Sequence, residues 1–104
     1  GNQAINDGGG IANESTFSGA AAVTIKNSQL IGNEATGRGG GIFDTDDARA
    51  KPPIESLDIA GSTISGNIAG SEGGGIYGTG DLVILKNSTV SGNQSSTTPS
   101  GGLG

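Results

Sequence analysis

The sequence predicts an all-β fold, a right-handed parallel β-helix (β-solenoid) of about three coils with three strands per coil. Three observations carry this expectation. Gly-Gly-Gly-Ile occurs at 8–11, 39–42 and 73–76, and an imperfect copy, Gly-Gly-Leu-Gly, occupies 101–104. A Gly-Asn pair marks each unit, with its Asn at 2, 33, 67 and 93, in steps of 31, 34 and 26 residues. The apolar residue of the glycine tract recurs at 11, 42, 76 and 103, in steps of 31, 34 and 27, so the two marks move together. Such joint drift is one repeating unit with loops of variable length, the signature of a solenoid.

Within a unit the elements follow in order. The first apolar spot is the Ile of the glycine tract: Ile11, Ile42 and Ile76, with Leu103 in the last copy. The second alternates: Val23 and Ile25, Leu57 and Ile59, Val83 and Leu85. The third, just ahead of Gly-Asn, is Leu30, Ile64 and Val90. Alternation and β-branching indicate strands, and no segment spaces its apolar residues as a helix does. Between the second and third spots stand Asn27-Ser28, Gly61-Ser62 and Asn87-Ser88. Asn and Gly tolerate left-handed backbone, so a tight corner is expected there, with Gly-Asn as the next corner. Each strand should pair with its equivalent one coil away, at about 4.8 Å, along a right-handed path.

The expected coils are about 2–32, 33–66 and 67–92, with a partial coil 93–104, all within one domain, 1–104. Equivalent positions should stack into columns: Ile11, Ile42, Ile76 and Leu103; Ile25, Ile59 and Leu85; Leu30, Ile64 and Val90. Asn2, Asn33, Asn67 and Asn93 should form a hydrogen-bonded amide ladder. The glycine tract is expected to run as strand. Its outer glycines, such as Gly39 and Gly41, would then form an outward strip of bare backbone, either a site of tight curvature or a surface that another chain can approach.

Composition narrows the chemistry. The 104 residues include 22 Gly, with 31% hydrophobic and 3% aromatic residues, lean for an ordinary core. There is no Cys and no His, which removes thiol chemistry, disulfides, the usual neutral-pH general base and the commonest metal ligand. A net charge of −5 argues against non-specific nucleic-acid binding. No apolar run is long enough to span a membrane. The chain starts without Met or an export signal, so a processed product or a piece of something longer is expected.

Candidate chemistry is sparse, and no catalytic or cofactor-binding residue is nominated. Asp44, Asp46 and Asp47, followed by Arg49 and Lys51, form the one acidic cluster. Three close carboxylates could take calcium together with backbone carbonyls. The spacing matches no EF-hand or calcium-binding nonapeptide, however, and Lys51-Pro52-Pro53 breaks any strand, so a solvated insertion loop is the favoured reading. Lys26 and Lys86 occupy equivalent positions and should stand on one exterior edge. Asn-X-Ser/Thr sequons occur at Asn13, Asn87 and Asn93, the last committed to the expected ladder.

The Gly-Gly-Gly-Ile tract followed by "NSTVSGN" at 87–93 resembles the repeats of right-handed parallel β-helix surface proteins of the pectate-lyase-like class, and in particular polymorphic outer-membrane protein repeats. The resemblance covers Asn2 to Leu103. It implies an extracellular or cell-surface protein, without nominating an activity. The chain begins and stops inside the repeat, at Gly1-Asn2 and Leu103-Gly104, which are the expected assembly ends. The main expectation is therefore a structural subunit of a filament or surface layer, its partner another copy of itself, stacked head to tail. The alternatives are a piece of a large adhesin that binds glycan or a host surface and, behind it, a carbohydrate-active β-helix enzyme. Neither a nucleic-acid partner nor a membrane span is expected.

Overall fold

A computed structural model describes residues 1–14, 22–45, 56–79, 82–96 and 102–103. These residues form short strands and bends, with no helix among them. In chain order the strands are β1 (Gln3–Ala4), β2 (Ile11–Glu14), β3 (Val23–Lys26), β4 (Gln29–Ile31), β5 (Glu34–Ala35), β6 (Ile42–Thr45), β7 (Ser56–Ala60), β8 (Thr63–Ser65), β9 (Ile68–Ala69), β10 (Ile76–Thr79), β11 (Leu82–Lys86), β12 (Thr89–Ser91), β13 (Gln94–Ser95) and β14 (Gly102–Leu103).

The strands form four stacked sheets: sheet A, β1-β5-β9-β13; sheet B, β2-β6-β10-β14; sheet C, β3-β7-β11; and sheet D, β4-β8-β12. All pairings but one are parallel, between strands one repeat apart. This is a β-solenoid architecture. The expected columns appear in the register: Ile42 faces Ile11 and Ile76, Ile59 faces Ile25 and Leu85, and Ile64 faces Leu30 and Val90. Ile25, Leu30, Ile42, Leu57, Ile59, Ile64 and Ile76 make the core, flanked by Ile11, Val23, Val83 and Val90. Burying one such side chain contributes about 1.5–3 kcal/mol. Leu85, on the terminal strand of sheet C, remains 42% exposed, with no further strand over it among the described residues.

Two expectations need correction. The first is three strands per repeat, because the structure has four sheets. The segment from Gly-Asn to Ile is not one strand. It is a two-residue strand, a bend and a glycine arc. The first glycine of each tract, Gly8, Gly39 or Gly73, has φ of 74°, 70° or 66°. That left-handed residue turns the chain, and strand resumes only at Ile. The glycines accordingly form no outward strip: Gly39, Gly40, Gly41, Gly73, Gly74 and Gly75 are all buried. The arcs stack on one another through Gly9 N–H to Gly39 O at 3.0 Å and Gly40 N–H to Gly73 O at 3.1 Å.

The second correction concerns Leu103. It lies opposite Ile76, as the column requires, but β14 runs antiparallel to β10, with Gly102 opposite Tyr77. The ladder of sheet B thus does not continue in parallel at this strand.

Candidate functional site

The predicted corners form and carry ordered polar ladders. Asn27 and Asn87 have φ of 49° and 48°, and Gly61, their equivalent, 59°. At the Gly-Asn corner, Gly32, Gly66 and Gly92 have φ of 68°, 64° and 63°. That turn aims each following Asn side chain at the neighbouring repeat. Asn2 N–H donates to Asn33 Oδ1 at 2.9 Å, Asn33 N–H to Asn67 Oδ1 at 2.8 Å, and Asn67 N–H to Asn93 Oδ1 at 2.9 Å. The amide Nδ2 groups follow the same direction, from Asn2 to Asn33, Asn33 to Asn67 and Asn67 to Asn93. Asn67 Nδ2 also donates to Leu30 O at 2.9 Å, and Asn93 Nδ2 to Ile64 O at 3.0 Å. Asn33 and Asn67 are buried, so these bonds satisfy groups that water cannot reach.

The ladder has polarity. In every Asn-to-Asn rung the donor points toward the later repeat and Oδ1 accepts from the earlier one. Its first rung therefore ends in an acceptor, Asn2 Oδ1, and its last in a donor, Asn93 N–H. The sheets end in the same way. At one end β1, β2, β3 and β4 are terminal in their sheets; at the other, β13, β11 and β12 are, while β14 lies on β10. Gly1 and Asn2 belong to the first rung, Leu103 to β14, and Gly104 lies outside the described residues.

Two further ladders are not among the expected ones. Ser28 N–H donates to Ser62 Oγ, and Ser62 N–H to Ser88 Oγ, each at 3.1 Å. Each hydroxyl donates in turn to a carbonyl two residues back: Lys26, Ala60 or Lys86. The serine repeats in the sequence, but a corner read only for backbone conformation leaves its hydroxyl without a role. The other ladder stands just before and after the glycine tracts. Arg38 pairs with Asp7 at 3.1 Å and lies 4.9 Å from the Phe43 ring centroid and 5.0 Å from that of Tyr77. Those rings are stacked at 5.6 Å. The hydrogen bond to Asp7, and then that to Tyr77 Oη, raise the Arg38 guanidinium above its ordinary pKa. Asp7, Arg38 and Glu72 are the residues preceding each tract, an acid–base–acid column visible once the repeats are aligned.

The acidic cluster does not sit as an insertion loop at its first residue. Asp44 lies within β6 and is fully buried. Asn13 Nδ2 donates to its Oδ1 at 2.8 Å, and its Oδ2 has no partner among the described residues. Asp46 and Asp47 lie outside the described residues, and among the described ones no group of three ligating side chains could hold a metal. The same contact engages the side-chain amide of the half-buried Asn13, whereas Asn87 is exposed at its corner.

Lys26 and Lys86 do share a face. In sheet C they flank Ala60, one strand away on either side. They border a groove of about 460 Å³ together with Thr24, Asp58, Ala60 and Ile84. No helix among the described residues is long and apolar enough to cross a membrane.

With this geometry in view, a scan against protein-family models finds no match, and searches of curated proteins and of solved structures find none either.

Proposed function

We propose that the chain is a structural β-solenoid module, a right-handed parallel β-helix of three coils that acts by stacking its open edges on those of a second copy. Catalysis has no part in this reading. The observation that supports it best is the interchangeability of the repeats. Each strand of sheets B, C and D meets the strand one repeat on in the same register, so Ile11 pairs with Ile42 and Ile42 with Ile76. An incoming β2, β3 and β4 would meet β10, β11 and β12 as they meet β6, β7 and β8 in their own copy. The ladder polarity matches too, because donors of the Asn rungs always face the later repeat.

Sheet A sets the phase. β1 and β13 are equivalent strands, and only one of them can sit on β9 at a junction. A copy therefore adds three rungs, and the axial rise is about 14 Å, three strand spacings of about 4.8 Å. A stack of this kind is heterologous and does not close, so it grows as a filament. The resemblance to surface-protein repeats is the ground for placing such a filament outside the cell or on its surface. Electron microscopy of the purified chain tests the reading. Thin fibres with a layer line near about 14 Å are expected, and monodisperse particles at all concentrations would overturn it.

A second reading, an adhesin module that binds a surface glycan, has one observation in its favour, the Lys26/Lys86 groove on sheet C. Glycan-array binding that is lost in Lys26→Ala and Lys86→Ala variants would support it over assembly.

A further inference from the structure

At the Asn93 end the chain covers two edges of its third repeat with its own backbone among the described residues: β13 lies on β9 in the parallel sense that its equivalent β1 would keep, whereas the edge of β10 is covered differently. β14 occupies it, over Ile76 and Tyr77 only, and antiparallel where all other pairing is parallel. The strand β2, in contrast, pairs with four residues of β6, from Ile42 to Thr45. The two pairings use the same backbone groups of β10, because a strand presents its hydrogen-bonding edge to one neighbour per side. The opposite side of β10 is already held by β6.

We propose that the β10 edge is the acceptor surface for a second copy of this chain, and that β14 is a displaceable plug on it. This rests on the end-to-end reading above and adds its regulation. An incoming β2 offers Ile11 opposite Ile76 and extends over Thr79, twice the length that β14 covers. The plug must leave before sheet B can continue, whereas sheets C and D present β11 and β12 with no strand beyond them among the described residues. Growth at this end is thus an exchange of a two-residue antiparallel contact for a four-residue parallel one. In the free protein, β14 blunts an edge that would otherwise recruit strands without regard to register.

The full-length chain tests this with paired changes. Gly102→Pro with Leu103→Pro removes both backbone donors of β14. The critical concentration for fibre formation, read by sedimentation, should fall about tenfold, the factor that about 1.4 kcal/mol represents. Tyr77→Cys with Gly102→Cys does the opposite. These residues face each other, and the chain has no Cys of its own, so oxidation fastens the plug and reduction frees it in one sample. Oxidised protein should not elongate seeds, and reduced protein should. Equal critical concentrations in parent and proline variant, or equal elongation by oxidised and reduced forms, would overturn the plug while leaving the assembly reading intact. Failure of every form to make fibres would overturn both.

Discussion

Asn67 shows how much one side chain carries in a thin core. It is fully buried, its Oδ1 accepts from Asn33 N–H and Nδ2, and its own Nδ2 serves Asn93 Oδ1 and Leu30 O. Asn67→Ala would strand the buried Asn33 amide and the Leu30 carbonyl. Each such group costs about 1–3 kcal/mol, so a loss of about 3 kcal/mol is expected from urea unfolding. The glycines separate into two kinds at the same scale. A Cβ on Gly40 would lie 2.6 Å from the Ile68 carbonyl carbon and oxygen and would also strike Gly74 O, all backbone atoms that cannot yield. A Cβ on Gly32 would meet nothing within 4 Å, leaving only the left-handed φ of 68° as a penalty. Gly40→Ala should therefore prevent stable folding, whereas Gly32→Ala should cost about 1–2 kcal/mol. Circular-dichroism melts of the two variants make the comparison.

Among elements, the informative one is sheet A, whose strands are only two residues long. Two-residue strands cannot hold themselves; they are held by what precedes and follows them. The Asn ladder fixes the entry, with Glu34 N–H on Asn2 O and Ile68 N–H on Asn33 O, both at 2.8 Å. The Asp7–Arg38 pair and the rings of Phe43 and Tyr77 tie together the bend on the exit side, joining three successive repeats. The guanidinium works there as a plane as well as a charge. Arg38→Lys keeps the charge and loses the stacking and the fork to Asp7 and Tyr77, so a loss of about 1 kcal/mol is expected. Denaturant midpoints measured at low and high salt check it: equal stability of the Arg38→Lys variant and the parent chain would show that charge alone suffices there. In the sequence, Arg38 is legible only as the middle member of an acid–base–acid column. Its ring contacts are not legible, because Phe43 and Tyr77 follow the Ile of their tracts and read as outward strand positions, yet they are buried.

For the whole molecule, the repeat makes the two ends alike in register and opposite in hydrogen-bonding sense, which is what an open stack requires. The three-rung phase gives a numerical prediction. Fibre diffraction or helical reconstruction should find a subunit rise of about 14 Å, whereas about 19 Å would mean that β1 and β13 both keep their places and leave gaps in sheets C and D. The covered edge at β10 adds that every copy added at that end must displace a plug, so elongation there should be slower for the parent chain than for the Gly102→Pro, Leu103→Pro variant.

Much of this was legible from the sequence alone. Periodic side chains determined the register, the Ile, Leu and Val columns, the Asn ladder and the two left-handed corners. Each of these repeats a residue type at the place where its chemistry acts, and strands one repeat apart have no other way to align. Tertiary structure decided the rest: four sheets instead of three, the burial of the glycine arcs and of Asp44, and the direction of β14. A glycine carries no side chain to show whether it lies in a strand or turns it, so only the positive φ of Gly8, Gly39 and Gly73 reveals the extra bend. A two-residue edge strand can hydrogen-bond in either direction, so Leu103 could keep its place opposite Ile76 while the chain around it reversed.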